Sequence, residues 1–202
     1  TNRERIIERM HRNEDDLYIM GQAPDDELDV EAFPFAPNPL VVMAPRNHEL
    51  VGKKNIPLSK IAEQPFIMRE PGSGIRDATL RLFAAKDLRP LVRMELGSNE
   101  AIKHAVVGGL GLSVLSLHTL ALEGPDGPVA ILDVEQFPIR RQWYIVYPKG
   151  KELSLVARTF LEFAIASEAR IREHMISIWP LLIQQPKTRK RATARKKKAV
   201  TK

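Results

Sequence analysis

Between Phe66 and Ser116 the chain twice repeats a strand, a Gly/Ser turn and a helix, and this repeat constrains the fold more than any other feature. The first unit is Phe66-Ile67-Met68-Arg69, then Pro71-Gly72-Ser73-Gly74, then Ile75, Ala78, Thr79, Leu82 and Phe83 at helical spacing, with Ser73 placed to cap the helix. The second is Leu91 to Leu96, then Gly97-Ser98-Asn99, then Ile102, Ala105 and Val106 on one helical face. Gly108-Gly109 stops that helix, and Gly111 to Leu115 is a third apolar strand. Three strands joined by two helices predict a parallel, doubly wound half-domain, because strand-helix-strand crossovers keep one hand. Ligands of such sheets sit beyond the carboxyl ends of the strands, where both helices begin. The first N–H groups of a helix lack intrahelical partners, and the macrodipole adds partial positive charge there. Two such ends side by side predict a cleft for phosphate or carboxylate.

Around this unit the pattern is thinner. Ile6, Ile7 and Met10 share one helical face, and Asp16 to Met20 reads as a buried strand ended by Gly21. Leu28 to Phe35 and Pro39 to Ala44 are extended segments separated by Pro37-Asn38-Pro39, which proline keeps out of helix. A single helical turn is expected near Leu58 to Ala62. Val129 to Asp133 and Gln142 to Tyr147 read as further strands. Glu152 to Gln184 reads as one long helix carrying Leu155, Phe160, Phe163 and Ile171, shortened or kinked at Pro180. The order implies a chain that starts in one lobe, crosses near Pro39 to Pro45 into a second, and returns near Gln136 to Arg141. The expected division is 1–43 with 138–167 for the first lobe, 44–137 for the second, a helical extension at 168–186 and a disordered tail at 187–202. The first lobe has too few strands to cover both of its faces, so it is expected to continue upstream of Thr1.

Charge excludes an obvious nucleic-acid fold. The chain of 202 residues carries a formal +6, but residues 187–202 hold nine Lys/Arg and no acid, which leaves residues 1–186 at −3. The tail has no apolar period and reads as a solvated terminus or a nonspecific grip on nucleic acid. No Cys is present, so there is neither a disulfide framework nor a thiolate metal site, which fits the cytoplasm. No run of about 18 apolar residues spans a bilayer, and no membrane partner is expected.

Catalytic patterns fail on inspection. His11, His48, His104, His118 and His174 show no metal-ligand spacing. Ser73 lies in Gly-Ser-Gly rather than G-x-S-x-G and has no His/Asp partner to activate it. Gly108-Gly109-Leu110-Gly111 follows a helix and opens a strand, the reverse of a dinucleotide turn. Met43, Met68 and Met94 read as core filling, and Trp143 and Tyr144 as packing rather than base stacking. No cofactor is indicated. Arg69 ends a strand immediately before the first turn, placed either to fork onto an anion or to pair with Glu70 or Asp77.

Five segments in order, Pro39 to Pro45, Ile56-Pro57-Leu58, Phe66 to Arg76, Glu95 to Ala101 and Ala105 to Leu115, resemble the effector-binding domain of LysR-type transcriptional regulators over about residues 1–167. Asp15 to Gly21 and Phe137 to Tyr144 look most like the CbbR subgroup, activators of rubisco (Calvin-cycle) operons. The resemblance implies an α/β, two-lobed, periplasmic-binding-protein-like (type 2) fold, with the first lobe incomplete at its N-terminus. It implies a sensor without enzymatic activity, and a cleft for a small anionic metabolite: a sugar phosphate, a nicotinamide nucleotide or an organic acid. It also implies promoter DNA bound through an N-terminal winged helix-turn-helix absent from these residues, and a homodimer or homotetramer. Carried over by motif, the effector-binding residues are Arg69, Gly72, Ser73, Gly74, Ser98 and Asn99, with Gln22 across the cleft. Ile75 stands where the family often has Thr, which removes one hydroxyl contact. A periplasmic solute receptor of a transporter would share the fold and remains the alternative.

Overall fold

A computed structural model describes residues 1–22 and 28–180. In chain order the elements are α1 (Arg3–His11), β1 (Tyr18–Met20), β2 (Val30–Pro37), β3 (Leu40–Pro45), α2 (Leu58–Ala62), β4 (Pro65–Arg69) and α3 (Gly74–Ala84). They continue with β5 (Leu91–Leu96), α4 (Asn99–Val107), β6 (Ser113–Ser116), a 3-10 turn, β7 (Val129–Leu132), β8 (Gln142–Pro148), α5 (Leu155–Ala166) and α6 (Glu168–Ile178). The basic tail and the end of the expected helical extension lie outside the described residues. Among the described residues, no helix is long and apolar enough to cross a membrane.

The second lobe is built around β3. Its six residues are all buried, and alternate ones serve opposite faces. Leu40, Val42 and Ala44 join Ile61 of α2 and Ala78 and Phe83 of α3; Val41 and Met43 join Ile102 and Val106 of α4 and Met175 of α6. A strand covered on both faces needs an unbroken apolar run, which Leu40 to Ala44 supplies. β3 pairs antiparallel with β6 and β7. β4 and β5 pair in parallel, and a parallel bridge from Phe66 to Leu112 ties β4 to the chain entering β6. Ile67 N–H donates to Leu112 O, and Leu112 N–H to Pro65 O, both at 2.8 Å. A Cβ at Gly111 would lie 2.5 Å from Pro65 O, so this approach requires glycine. The three parallel segments expected from the repeat are thus present, extended by two antiparallel neighbours.

The first lobe is a β1-β8-β2 sheet, antiparallel throughout, with a register shift between Pro34 and Ala36. α1 packs Met10 with Tyr18, Met20 and Val146, and α5 packs Leu161 and Ala164 with Ile145.

The structure changes three expectations. The crossing into the second lobe comes before the expected boundary at 43/44: Leu40 is already paired with Ser116, because Pro37 and Pro39 end β2 and Asn38 turns inward. Asn38 N–H donates to Arg141 O at 2.8 Å, and Leu40 and Ile139 exchange backbone bonds, so the two crossings run side by side as one hinge. The long helix is broken at Ser167. α5 stays on the first lobe, while α6 turns to bury Met175 and Trp179 against the second. Finally β5 is an edge strand, and Met94 at 37% exposure is not core, unlike Met43 and Met68.

Candidate functional site

Both Gly/Ser turns open where the repeat places them. Ser73 caps α3, its hydroxyl oxygen accepting from Ile75 N–H at 3.3 Å, and Ser98 caps α4 by accepting from Ala101 N–H at 3.4 Å. A third helix joins them from the first lobe. Asn2 caps α1 and donates to Pro71 O at 3.3 Å, while Glu4 N–H donates to Gly72 O at 3.3 Å. These ends surround a cavity of about 390 Å³ lined by residues of both lobes and the hinge.

Of the seven residues anticipated from sequence, five line this cavity: Arg69, Ser73, Gly74, Asn99 and Gln22. Ser73 is 2% exposed and keeps its O–H free to donate. The other two act behind it. Gly72 has φ +79, and the Glu4 side chain occupies the space a Cβ would take, so it shapes the turn rather than facing the cavity. Ser98 holds α4 in place without lining the cleft.

Arg69 is committed. Its Nε and Nη2 donate to the two carboxylate oxygens of Glu70 at 2.7 and 2.9 Å, and its Nη1 donates to Asn99 Oδ1 at 2.5 Å. Burial pushes the Glu70 carboxyl up, but the hydrogen bonds from Arg69 and the surrounding groups hold it below its ordinary value. Between the two readings of Arg69, the pair with Glu70 is the one formed. It orients Asn99 so that the amide NH2 remains available to the cavity.

A poorly compensated cation on this cavity is Arg141, which the sequence does not single out. It comes from the hinge, and its Nη1 reaches across to donate to Gly74 O at 2.8 Å. Its Nε is buried with no hydrogen-bond partner among the described residues. Burial and then the nearby positive charges of Arg81 and Arg3, only partly offset by Asp77, press its guanidinium down to about 10. An unmet buried donor costs roughly 1–3 kcal/mol, more when charged, and an anion at this point would relieve both penalties. The available signal was the pair Arg140-Arg141 set between apolar segments at Pro138-Ile139 and Trp143-Tyr144. Trp143 lines the same cavity, its ring edge-on to His118 at 6.3 Å, and His118 Nε2 lies 2.7 Å from Pro37 O. No group of three or more His, Cys, Asp or Glu among the described residues is placed to hold a metal.

Residues 1–169 match the profile of the LysR substrate binding domain. The chain belongs to this family. Among its curated relatives, the HTH-type transcriptional activator CmpR of Synechocystis sp. is 51% identical over 84% of this chain and 56% of its own length. A RuBisCO operon transcriptional regulator of Acidithiobacillus ferrooxidans is 49% identical over 83% and 54%. The chain therefore spans about half the length of the curated relatives it matches. Among solved structures, the Synechocystis CcmR regulatory domain in complex with 2-PG aligns with TM-score 0.79 and 50% identity, covering 83% of this chain and 80% of that one. The QuiR effector binding domain aligns with TM-score 0.72 at 23% identity, which shows the shared fold alone. The architecture of this LysR domain is the periplasmic-binding-protein-like type 2 fold.

Proposed function

We propose that the chain is the inducer-sensing region of a LysR-type regulator of CO2-fixation genes, and that its cleft takes a small metabolite carrying phosphate, carboxylate or both. The observation that carries this reading is Arg141. A half-buried, poorly compensated guanidinium, its Nε without a partner among the described residues, stands beside the capped ends of α1 and α3, with the Asn99 amide of α4 on the same cavity. Such a site selects charge by two means, an Arg fork and helix N–H groups. The 2-PG complex of the 50% identical CcmR domain supports a ligand of this class, as do relatives named as rubisco-operon regulators. Promoter DNA is bound by a winged helix-turn-helix elsewhere in the regulator, which acts in the cytoplasm as a homodimer or homotetramer. It senses its ligand without transforming it. A transporter's solute receptor shares the fold, but no residue of the site favours that reading.

Isothermal titration of this chain with 2-phosphoglycolate tests the proposal. Saturable one-to-one binding is expected. No heat with 2-phosphoglycolate or any other phosphorylated metabolite at millimolar concentration would sink it.

A further inference from the structure

Beside the hinge, on the flank away from the α1 end, lies a second and larger cavity of about 650 Å³. Its charged lining is Arg81 from α3, Arg140 and Arg141 from the hinge and Arg172 from α6, with Gln22, Gln142 and Tyr144 adding polar groups; Arg140 already has an interaction of its own, and no described carboxylate lines the cavity. We propose that this cavity is a second anion site, built for a compact ligand with two or more phosphate-like charges and separate from the helix-end cleft. The two spaces share Gly21, Gln22 and Arg141 as a wall.

Three features of the lining point to a polyanion. Its arginines arrive from three elements: a helix of the second lobe, the hinge, and the helix that crosses back over both lobes. Local folding of any one element does not demand the convergence. Like charges gathered within several ångströms repel by about 1–4 kcal/mol per close pair even in a partly wet setting. The Arg81 side chain has no hydrogen bond or ion pair among the described residues, and its charge is one of those weighing on Arg141. Arg172 is offset by Glu168, with Nε 2.9 Å from Oε1, which fixes its direction. Arg81 and Arg141 approach from different elements and Arg172 keeps its Nη1 for the cavity, so donors converge from several directions and suit more than one phosphate group. The volume, larger than that of the cleft at about 390 Å³, accommodates them.

The site does not depend on what fills the cleft, and calorimetry on the full chain separates the two. Inorganic pyrophosphate serves as the probe, titrated alone and with 2-phosphoglycolate already saturating. Pyrophosphate is expected to bind in both cases. Arg81→Gln should weaken it by about tenfold, a loss of one charge-assisted contact, with a much smaller change in 2-phosphoglycolate affinity, felt only through Arg141. Arg81→Lys, which keeps the charge without the fork, should recover part of the loss. Asn99→Ala should do the reverse of Arg81→Gln, weakening 2-phosphoglycolate alone. One-for-one displacement of pyrophosphate by 2-phosphoglycolate would reduce the two cavities to one site and overturn the proposal. So would pyrophosphate binding that Arg81→Gln does not change, which would assign it to other basic residues such as those after 186, or no pyrophosphate binding at millimolar concentration. Pyrophosphate binding without any for 2-phosphoglycolate would overturn the cleft reading and leave this one standing.

Discussion

Two regions of the cleft each carry a conspicuous arginine, and they treat it in opposite ways. At the end of β4, Arg69 is followed directly by Glu70, which takes two of its N–H groups, while Asn99 takes a third. In the hinge, Arg141 has among the described residues one backbone carbonyl, a buried Nε without a partner, and Arg81, Arg3 and the weaker influence of Asp77 around it. Residue type is the same, with Arg69 buried and Arg141 half-buried. What also differs is the nearest carboxylate. An arginine neutralised by its own neighbour builds the wall of a site, whereas one left poorly compensated gives the site its charge. The pair also divides labour between lobes: Arg69 rigidifies the second lobe's turns, and Arg141 connects the hinge to the start of α3.

The sharpest way to break this contrast is Arg141→Gln. Charge-assisted hydrogen bonds are worth about 1.5–3 kcal/mol, so affinity for 2-phosphoglycolate should fall about 10- to 100-fold by calorimetry. Thermal stability should hold or rise, because a poorly compensated, half-buried charge is removed. Unchanged affinity would show that Arg141 is structural.

Glu70→Gln attacks the other side. Removing the carboxylate should lower stability at pH 7 by about 1–2 kcal/mol, measured by urea unfolding. Freed of its partner, Arg69 should then strengthen anion binding by about threefold. The pH dependence has a definite sign. Because the Glu70 carboxyl is held below its ordinary value in the folded chain, its contribution is fully present above the unfolded carboxylate range and is lost as pH falls through the lower folded value. The stability gap between wild type and Glu70→Gln should therefore close on acidification below about pH 4. A gap that persists there would mean the ion pair is not its source.

The smallest effect on binding should come from Ser98→Ala. Loss of the α4 cap should cost about 0.5–2 kcal/mol of stability. The affinity should change little, since Ser98 stands behind the cavity rather than in it. A large drop in affinity with stability intact would move Ser98 into the site.

Legibility follows the range over which each feature is decided. The Gly/Ser turns, the caps at Ser73 and Ser98 and the inward faces of α3 and α4 were readable because capping and helical periodicity act within four or so residues. The end of α4 at Gly108 was readable for the same reason. β3 was recognisable as extended, but not its place in the second lobe, since its partners Ser113 to Ser116 lie some seventy residues away. Met94 has the same apolar side chain as Met68. Only the position of β5 at the sheet edge leaves it exposed.

The amino-acid sequence by itself determined the repeated strand-turn-helix unit, hence the parallel segments and the helix ends that favour an anion, because those depend on backbone preferences and local hydrogen bonds. Tertiary structure alone decided which charge those ends would share. Glu70 neutralises Arg69, whereas Asp77 only partly offsets the burial and the Arg81 and Arg3 charges that weigh on Arg141 among the described residues. It also decided that the helical stretch after Glu152 breaks at Ser167, where α6 gains more by burying Met175 and Trp179 on the second lobe than by continuing straight. Coulomb energy and burial depend on distances through space, and those distances exist only once the two lobes have met.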